Sequence, residues 1–292
     1  MLTNAISELA NVRQIGINLH ITGACDMRCN GCFARFGHDD RNAGANRVQS
    51  IAESRWLQII DRLADEFVTK HHDLKITFVG GEPLLVKYLP RLMAHAKARG
   101  ATTCVVTNGF RLQNGIDKIA EVADWIGLSV DSTEPKLLRQ IGRVASAQTV
   151  DYLRLAEQVH SSGCRLKINT VVSSVNHHTD MTAAIEQMRP ERWKVFRFLP
   201  VIGENEYATD MVITSSEYSA FIQKHLHLKP VVEDNHDMRR SYLMVDPAGY
   251  LLDDSNGDKR PLLNLLNPRT ESSEIPGFEL QRYLGRDGAY QW

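Results

Sequence analysis

Two hydrophobic rhythms alternate along the chain. From Gln14 to Thr22, Ile15, Ile17, Leu19 and Ile21 alternate with other residues, the period of a strand with one packed face. Further on, Trp56, Ile60, Leu63, Ala64 and Phe67 recur at helical spacing, with Ser50 and Glu53 reading as a capping box ahead of them. The rhythm then repeats. Strands are predicted over Leu74–Val79, Thr102–Thr107, Trp125–Val130, Leu166–Val172 and Lys194–Pro200. Helices are predicted over Leu84–Arg99, Leu112–Ala123, Thr149–Ser162 and Met181–Met188. Six strands separated by helices imply an α/β fold with a parallel sheet and right-handed crossovers. Too few residues remain for two more units, so a partial (βα)6 barrel fits better than a closed eightfold one. Past Pro200 the pattern changes. Thr214 and Glu217 cap a helix running to about His225, and Ser241–Val245 with Tyr250–Leu252 reads as a hairpin around Pro247, Ala248 and Gly249. The chain therefore divides into a barrel core, 1–200, and a C-terminal extension, 201–292.

Composition narrows the class. Of 292 residues 43% are hydrophobic and 24% charged, enough for a sizeable core under a solvated surface. A net charge of −1 lacks the basic excess of a nucleic-acid binder. The opening residues lack the basic and apolar regions of a signal peptide, and no run approaches the ~20 apolar residues that span a membrane. The expectation is a cytoplasmic protein. Of five cysteines, three lie within eight residues, while Cys104 and Cys164 stand alone in apolar surroundings. That distribution points to metal or cluster binding rather than a disulfide framework.

Cys25, Cys29 and Cys32 form a C-x3-C-x2-C motif just after the first strand. Three thiolates can hold three irons of a cubane and leave the fourth open to a small molecule. The alternative is a structural zinc site, which needs a fourth ligand such as His38. In a parallel barrel the carboxyl ends of the strands carry the chemistry. Gly80, Gly81 and Glu82 end the second strand, Asn108 the third, and Ser129 and Asp131 the fourth. Each has an ordinary reading as a turn or helix cap. On the fifth strand Lys167 and Asn169 alternate with Leu166 and Ile168, so they share a face; Arg192 and Lys194 share one at the start of the sixth. Three cations brought together call for an anion such as a triphosphate, unless they form surface pairs with Glu191 or Glu204.

The cysteine spacing, Phe33 after the last cysteine and the Gly80-Gly81-Glu82-Pro83 strand end together resemble the radical S-adenosylmethionine (SAM) superfamily. Segments in order across nearly the whole chain look like viperins: Asn18–Thr22, Ile141–Arg143, Leu166–Asn169, Arg192–Phe196, Gly203–Asn205, Ser241–Leu243 and Gly288–Trp292. The amphipathic membrane helix of the animal proteins is not expected here, and the likeness is to prokaryotic, antiviral members. This resemblance implies a [4Fe–4S] cluster on Cys25, Cys29 and Cys32. SAM would lie near Phe33, Gly80, Gly81, Glu82, Asn108, Ser129, Asp131 and Arg143. A nucleoside triphosphate would lie on Asn18, His20, Lys167, Asn169, Arg192 and Lys194, with Tyr242 near the ribose as a hydrogen or proton donor. It further implies a flavodoxin- or ferredoxin-type electron donor, and no nucleic-acid or membrane partner. The chemistry implied is formation of a 3′-deoxy-3′,4′-didehydro nucleotide by way of a 5′-deoxyadenosyl radical. Asp253–Gly257 departs from the Asn-Cys-Thr-Gly-Gly of animal viperins, Val79 replaces a serine, and Gly23 and Ala24 replace Arg-Gln. The base stays open: CTP by resemblance, or UTP or GTP. Two other readings remain, another radical SAM chemistry on a peptide or cofactor and a non-catalytic metal-binding protein. The former is disfavoured because no cysteine follows Cys164.

Overall fold

The structure, a computed structural model, describes residues 9, 12–37, 48–68, 72–267 and 278–292. His38 lies outside the described residues. The strands are β1 (Gln14–His20), β2 (Asp73–Val79), β3 (Thr102–Thr107), β4 (Trp125–Ser129), β5 (Arg165–Val172), β6 (Arg192–Arg197), β7 (Val231–Glu233), β8 (Leu243–Val245), β9 (Tyr250–Asp253) and β10 (Arg260–Asn264). The helices are α1 (Glu53–Phe67), α2 (Leu89–Ala98), α3 (Asp117–Ala120), α4 (Pro135–Ile141), α5 (Tyr152–Ser161), α6 (Thr182–Met188), α7 (Ser215–His225) and α8 (Leu280–Gly285).

One sheet runs β10-β9-β8-β1-β2-β3-β4-β5-β6-β7. The six strands read from the sequence stand in chain order and pair in parallel. Two short strands continue the parallel run, β7 beside β6 and β8 beside β1. Each has three residues, too few to show a period in the sequence. The expected hairpin is present as the antiparallel pair β8–β9, and its first strand also pairs with β1. Among the described residues no ladder joins β7 to β8, so the barrel stays open along that seam. The sheet curls strongly nonetheless. The Tyr290 ring lies 3.8 Å from Lys75 Nζ on β2 and 3.8 Å from Arg192 Cζ on β6, four strands away.

The helices cover the outer face. Helix α1 buries Trp56, Ile59, Ile60, Leu63 and Phe67, each contributing roughly 1.5–3 kcal/mol. It starts later than the Ser50–Glu53 pattern predicts. Ala52 occupies the cap without a side-chain bond, and Glu53 instead accepts two bonds from Arg91, at 2.6 and 2.7 Å. The predicted helix Leu84–Arg99 is split into a 3-10 turn, Pro83–Leu85, and α2, because Pro90 fits only the first turn of a helix. Leu112–Ala123 likewise breaks at Gly115. The Thr214–Glu217 capping box is present.

Candidate active site

Chemistry-bearing residues collect at two levels of the barrel: the carboxyl ends of the strands, and the interior beside their amino-terminal halves. At the carboxyl ends the loop after β1 carries Cys25, Cys29 and Cys32, all free thiols, all partly accessible. Burial raises the Cys25 thiol to about 12 and the Cys29 thiol to about 11, so both stay protonated until a metal displaces the proton. The loop is shaped by groups other than the thiols. Arg35 donates to the Cys29 carbonyl at 2.5 Å, Asn30 N to the Ile141 carbonyl at 2.8 Å, and Asn205 Nδ2 to the Gly31 carbonyl at 3.0 Å. Glycines make the close approaches possible. A Cβ on Gly142 (φ +86°) would stand 2.4 Å from the Arg28 carbonyl oxygen, and one on Gly81 would stand 2.2 Å from that of Ala24.

Glu82 and Asn108 tie the ends of β2 and β3 to this loop. Fully buried, Glu82 accepts from Leu84 N at 3.0 Å, Thr107 Oγ1 at 2.8 Å and Asn108 N at 2.8 Å. Burial still raises its carboxyl to about 7. Asn108 Nδ2 donates to Asp26 Oδ1 at 2.8 Å. At the end of β4, Asp131 forms a close ion pair with Arg143, and both are buried or nearly so. Its other oxygen accepts from Val171 N at 2.8 Å. Ser129 is the last residue of β4. Phe33 is half exposed; its carbonyl accepts from Lys259, whose ammonium lies 4.3 Å above its ring. His20, at the end of β1, is buried edge-on to Phe36 at 5.0 Å, and neither ring nitrogen has a hydrogen-bond partner. Burial holds its pKa well below the ordinary histidine value. Asn18 lies two residues earlier on β1, opposite Thr77 and Met244.

The interior level is cationic. Lys167 pairs in register with Arg192, and Asn169 with Lys194, so all four predicted residues of β5 and β6 stand side by side. The alternative pairing with Glu191 or Glu204 does not occur. Glu191 accepts from Leu166 N at 2.7 Å, and Glu204 from Arg35 N and Phe36 N at 2.5 and 3.1 Å. Instead Lys194 contacts Glu233 on β7, and Arg192 contacts Asp287 after α8. Lys167 makes no hydrogen bond or ion pair among the described residues, and burial lowers its pKa. Asn169 Oδ1 and Arg192 Nε are also buried without partners. Tyr242 donates to Glu233 Oε2 at 2.5 Å and accepts from Lys194 at 3.2 Å.

Three members of this level were not singled out from the sequence. Lys75 on β2 is bonded to the Tyr290 hydroxyl, and burial, then the nearby Lys167, pulls its pKa well down. Arg286 lies 3.6 Å over the Tyr242 ring. Glu233 is fully buried. Lys75 alternates with Leu74 and Ile76 as Lys167 does with its neighbours, and that signal was available. Cys104 is less apolar in setting than its sequence suggests. Burial raises its thiol, opposed by Lys167 and Lys75 nearby.

Comparison with known proteins resolves the class. Residues 19–186 match the Radical SAM superfamily. The chain belongs to the radical SAM superfamily. A relative from Flammeovirga pacifica, "S-adenosylmethionine-dependent nucleotide dehydratase", is 34% identical over 94% of this chain and 95% of its own length. One of the same name from Lacinutrix mariniflava is 35% identical over 99% of this chain, which spans 60% of that protein. The trout protein named RSAD2 (Oncorhynchus mykiss) is 28% identical over the full chain and 84% of its own length. This radical SAM enzyme is thus of the viperin-like nucleotide dehydratase family. Its fold matches anSMEcpe with bound AdoMet (TM-score 0.66, 14% identity, 92% of this chain and 84% of that one). It also matches Streptococcus suis SuiB bound to S-adenosylmethionine (TM-score 0.63, 14% identity, 95% and 71%). The cofactors of the family are SAM and a [4Fe–4S] cluster. The residues present fit them: three unpaired thiols sit on a loop that glycines allow to pack against the ends of β2 and α4. No helix among the described residues is long and apolar enough to cross a membrane.

Proposed function

We propose that this enzyme dehydrates a ribonucleoside triphosphate to its 3′-deoxy-3′,4′-didehydro analogue, with CTP as the first candidate and UTP or GTP as alternatives. Cys25, Cys29 and Cys32 would hold the cluster, and the cluster and SAM, once bound, would supply a 5′-deoxyadenosyl radical able to take hydrogen from C4′ of the ribose. Phe33, Gly80, Gly81, Glu82, Asn108, Ser129, Asp131 and Arg143 frame SAM, and Asp131 keeps the Arg143 guanidinium in place. Asn18 and His20 face the nucleotide, and the two unpartnered nitrogens of His20 are free to bond it. Lys167, Asn169, Arg192 and Lys194 hold the phosphates. Tyr242 stands among them and passes a proton or hydrogen atom as the 3′-hydroxyl leaves as water. Residues 1–200 act as the radical SAM core, and 201–292 as the extension that closes the nucleotide site. A flavodoxin- or ferredoxin-type protein supplies electrons.

The observation that carries the reading is the charge surplus in the interior. Five cations (Lys75, Lys167, Arg192, Lys194 and Arg286) share that space with Glu233 and Asp287, and among the described residues Lys167 is left without a partner. Buried cations without counter-charge are costly, and a polyphosphate supplies what is missing. Anaerobic incubation with dithionite, SAM and each NTP, followed by mass spectrometry, tests it. The expected product is a nucleotide lighter by one water. SAM cleavage that no nucleotide stimulates would reject the reading.

A further inference from the structure

One buried carboxylate stands at the open seam of the barrel. Strand β7 pairs with β6 and β8 with β1, but among the described residues no backbone ladder links the two. In the place of a ladder stands the carboxylate of Glu233, at 0% exposure. Three parts of the chain reach it: Lys194 from β6, the Tyr242 hydroxyl from the residue before β8 (2.5 Å) and Arg286 from the residue after α8 (3.7 Å). The hydrogen-bond directions are fixed by chemistry. An ammonium only donates, so Lys194 gives a hydrogen to the Tyr242 oxygen at 3.2 Å. A carboxylate only accepts, so the phenolic hydrogen points at Glu233 Oε2. Oε1 has no well-aligned hydrogen bond, although Lys194 and Arg286 lie beside it.

We propose that Glu233 is a positioning residue for the phosphate and ribose sites: its carboxylate, against Lys194, favours the protonated lysine that can hold phosphate, and its Oε2 fixes the Tyr242 phenol toward the ribose. This rests on the nucleotide reading above. Lys194 is buried among Lys75, Lys167, Arg192 and Arg286 and has Glu233 as its single carboxylate partner among the described residues. Burial holds the Lys194 pKa well below the ordinary lysine value, and the Glu233 carboxylate opposes that; without it, burial and like-charge repulsion act unopposed and favour loss of the proton, and with it the point charge offered to phosphate. Tyr242 has two hydrogen bonds through its hydroxyl, and one of them is to Glu233. Loss of that acceptor frees the phenol to turn.

The two roles separate in two variants of the reconstituted holoenzyme. Glu233→Gln keeps the shape and an acceptor but removes the charge; the KM for the nucleoside triphosphate should rise tenfold or more. Glu233→Asp keeps the charge but draws the carboxylate back by one methylene; KM should stay within threefold, while product formed per SAM cleaved falls at least fivefold. That ratio should fall no further in Glu233→Asp/Tyr242→Phe than in Tyr242→Phe alone, because one acts through the other. A residue that merely braced the seam would lower stability in both variants without splitting KM from the product ratio. Wild-type values of KM in Glu233→Gln, or losses in the double variant that add to those of Tyr242→Phe, would overturn the assignment. Should Glu233→Gln not fold, the Glu233→Asp ratio alone decides it. A wild-type enzyme that no NTP stimulates would sink the nucleotide reading and this inference together, whereas a responsive wild type with unaffected variants would sink this inference alone.

Discussion

The carboxyl ends of the strands and the barrel interior handle buried charge in opposite ways. At the strand ends each ion has its partner within the protein. Arg143 is bonded to Asp131, and Glu82 receives three donors. In the interior, cations outnumber carboxylates, and Lys167, Asn169 Oδ1 and Arg192 Nε go without. Apart from His20, whose buried ring nitrogens lack partners, the strand ends have their charges matched before any ligand arrives, as suits SAM, whose amino and carboxylate groups offset each other. The interior is built at a cost to stability that an anion repays. The lesson is that mutations of equal chemical severity should have opposite effects on the folded protein at the two levels.

The largest effect should come from the cluster loop. Cys29→Ala removes one of three thiolates; iron content after reconstitution should fall below half that of the wild type, and SAM cleavage should drop to background. Next is Arg143→Met, which leaves Asp131 buried without its ion-pair partner. Denaturant unfolding of the cluster-free protein should show a loss of about 3–5 kcal/mol; no loss would mean that the pair at the strand ends is not a fixed element.

A pH titration sharpens the same level. Glu82 is raised to about 7 from an ordinary 4.5, so the folded protein keeps a proton that the unfolded chain releases. Its contribution is fully present below the unfolded value and is lost as pH rises through about 7. Unfolding free energy should therefore decline over that window, by up to about 3 kcal/mol from this group. In Glu82→Gln that part of the slope should vanish, whatever the variant's absolute stability. The smallest effect lies outside both levels. Thr214→Ala, at the capping box of α7, should cost about 1 kcal/mol and leave both SAM and nucleotide KM unchanged.

The contrast also explains what could be read in advance. Local patterns were legible because their cause is local. The C-x3-C-x2-C spacing, the alternation of Lys167 and Asn169 with apolar neighbours, and the Thr214–Glu217 box all act within a few residues, and all appear where expected. Pairings across long separations were not legible. Ser50 and Glu53 have the pattern of a box, yet Arg91, 38 residues away, takes the glutamate. Glu233 and Asp287 partner Lys194 and Arg192 because β7 and the chain after α8 are brought there by the fold, and nothing near 194 or 192 in the sequence announces them. Strands of three residues leave no period to detect.

The central claim is that the interior cations await a polyphosphate, and thermal or denaturant unfolding in its presence tests that most directly. Wild-type protein should gain about 2.7 kcal/mol at tripolyphosphate or NTP concentrations a hundredfold above Kd. Lys167→Met, which removes the unpartnered cation, should be at least as stable as the wild type without ligand and should need tenfold or more ligand for the same gain. A wild type that neither tripolyphosphate nor any NTP stabilises, or a Lys167→Met variant that responds as the wild type does, would contradict the account.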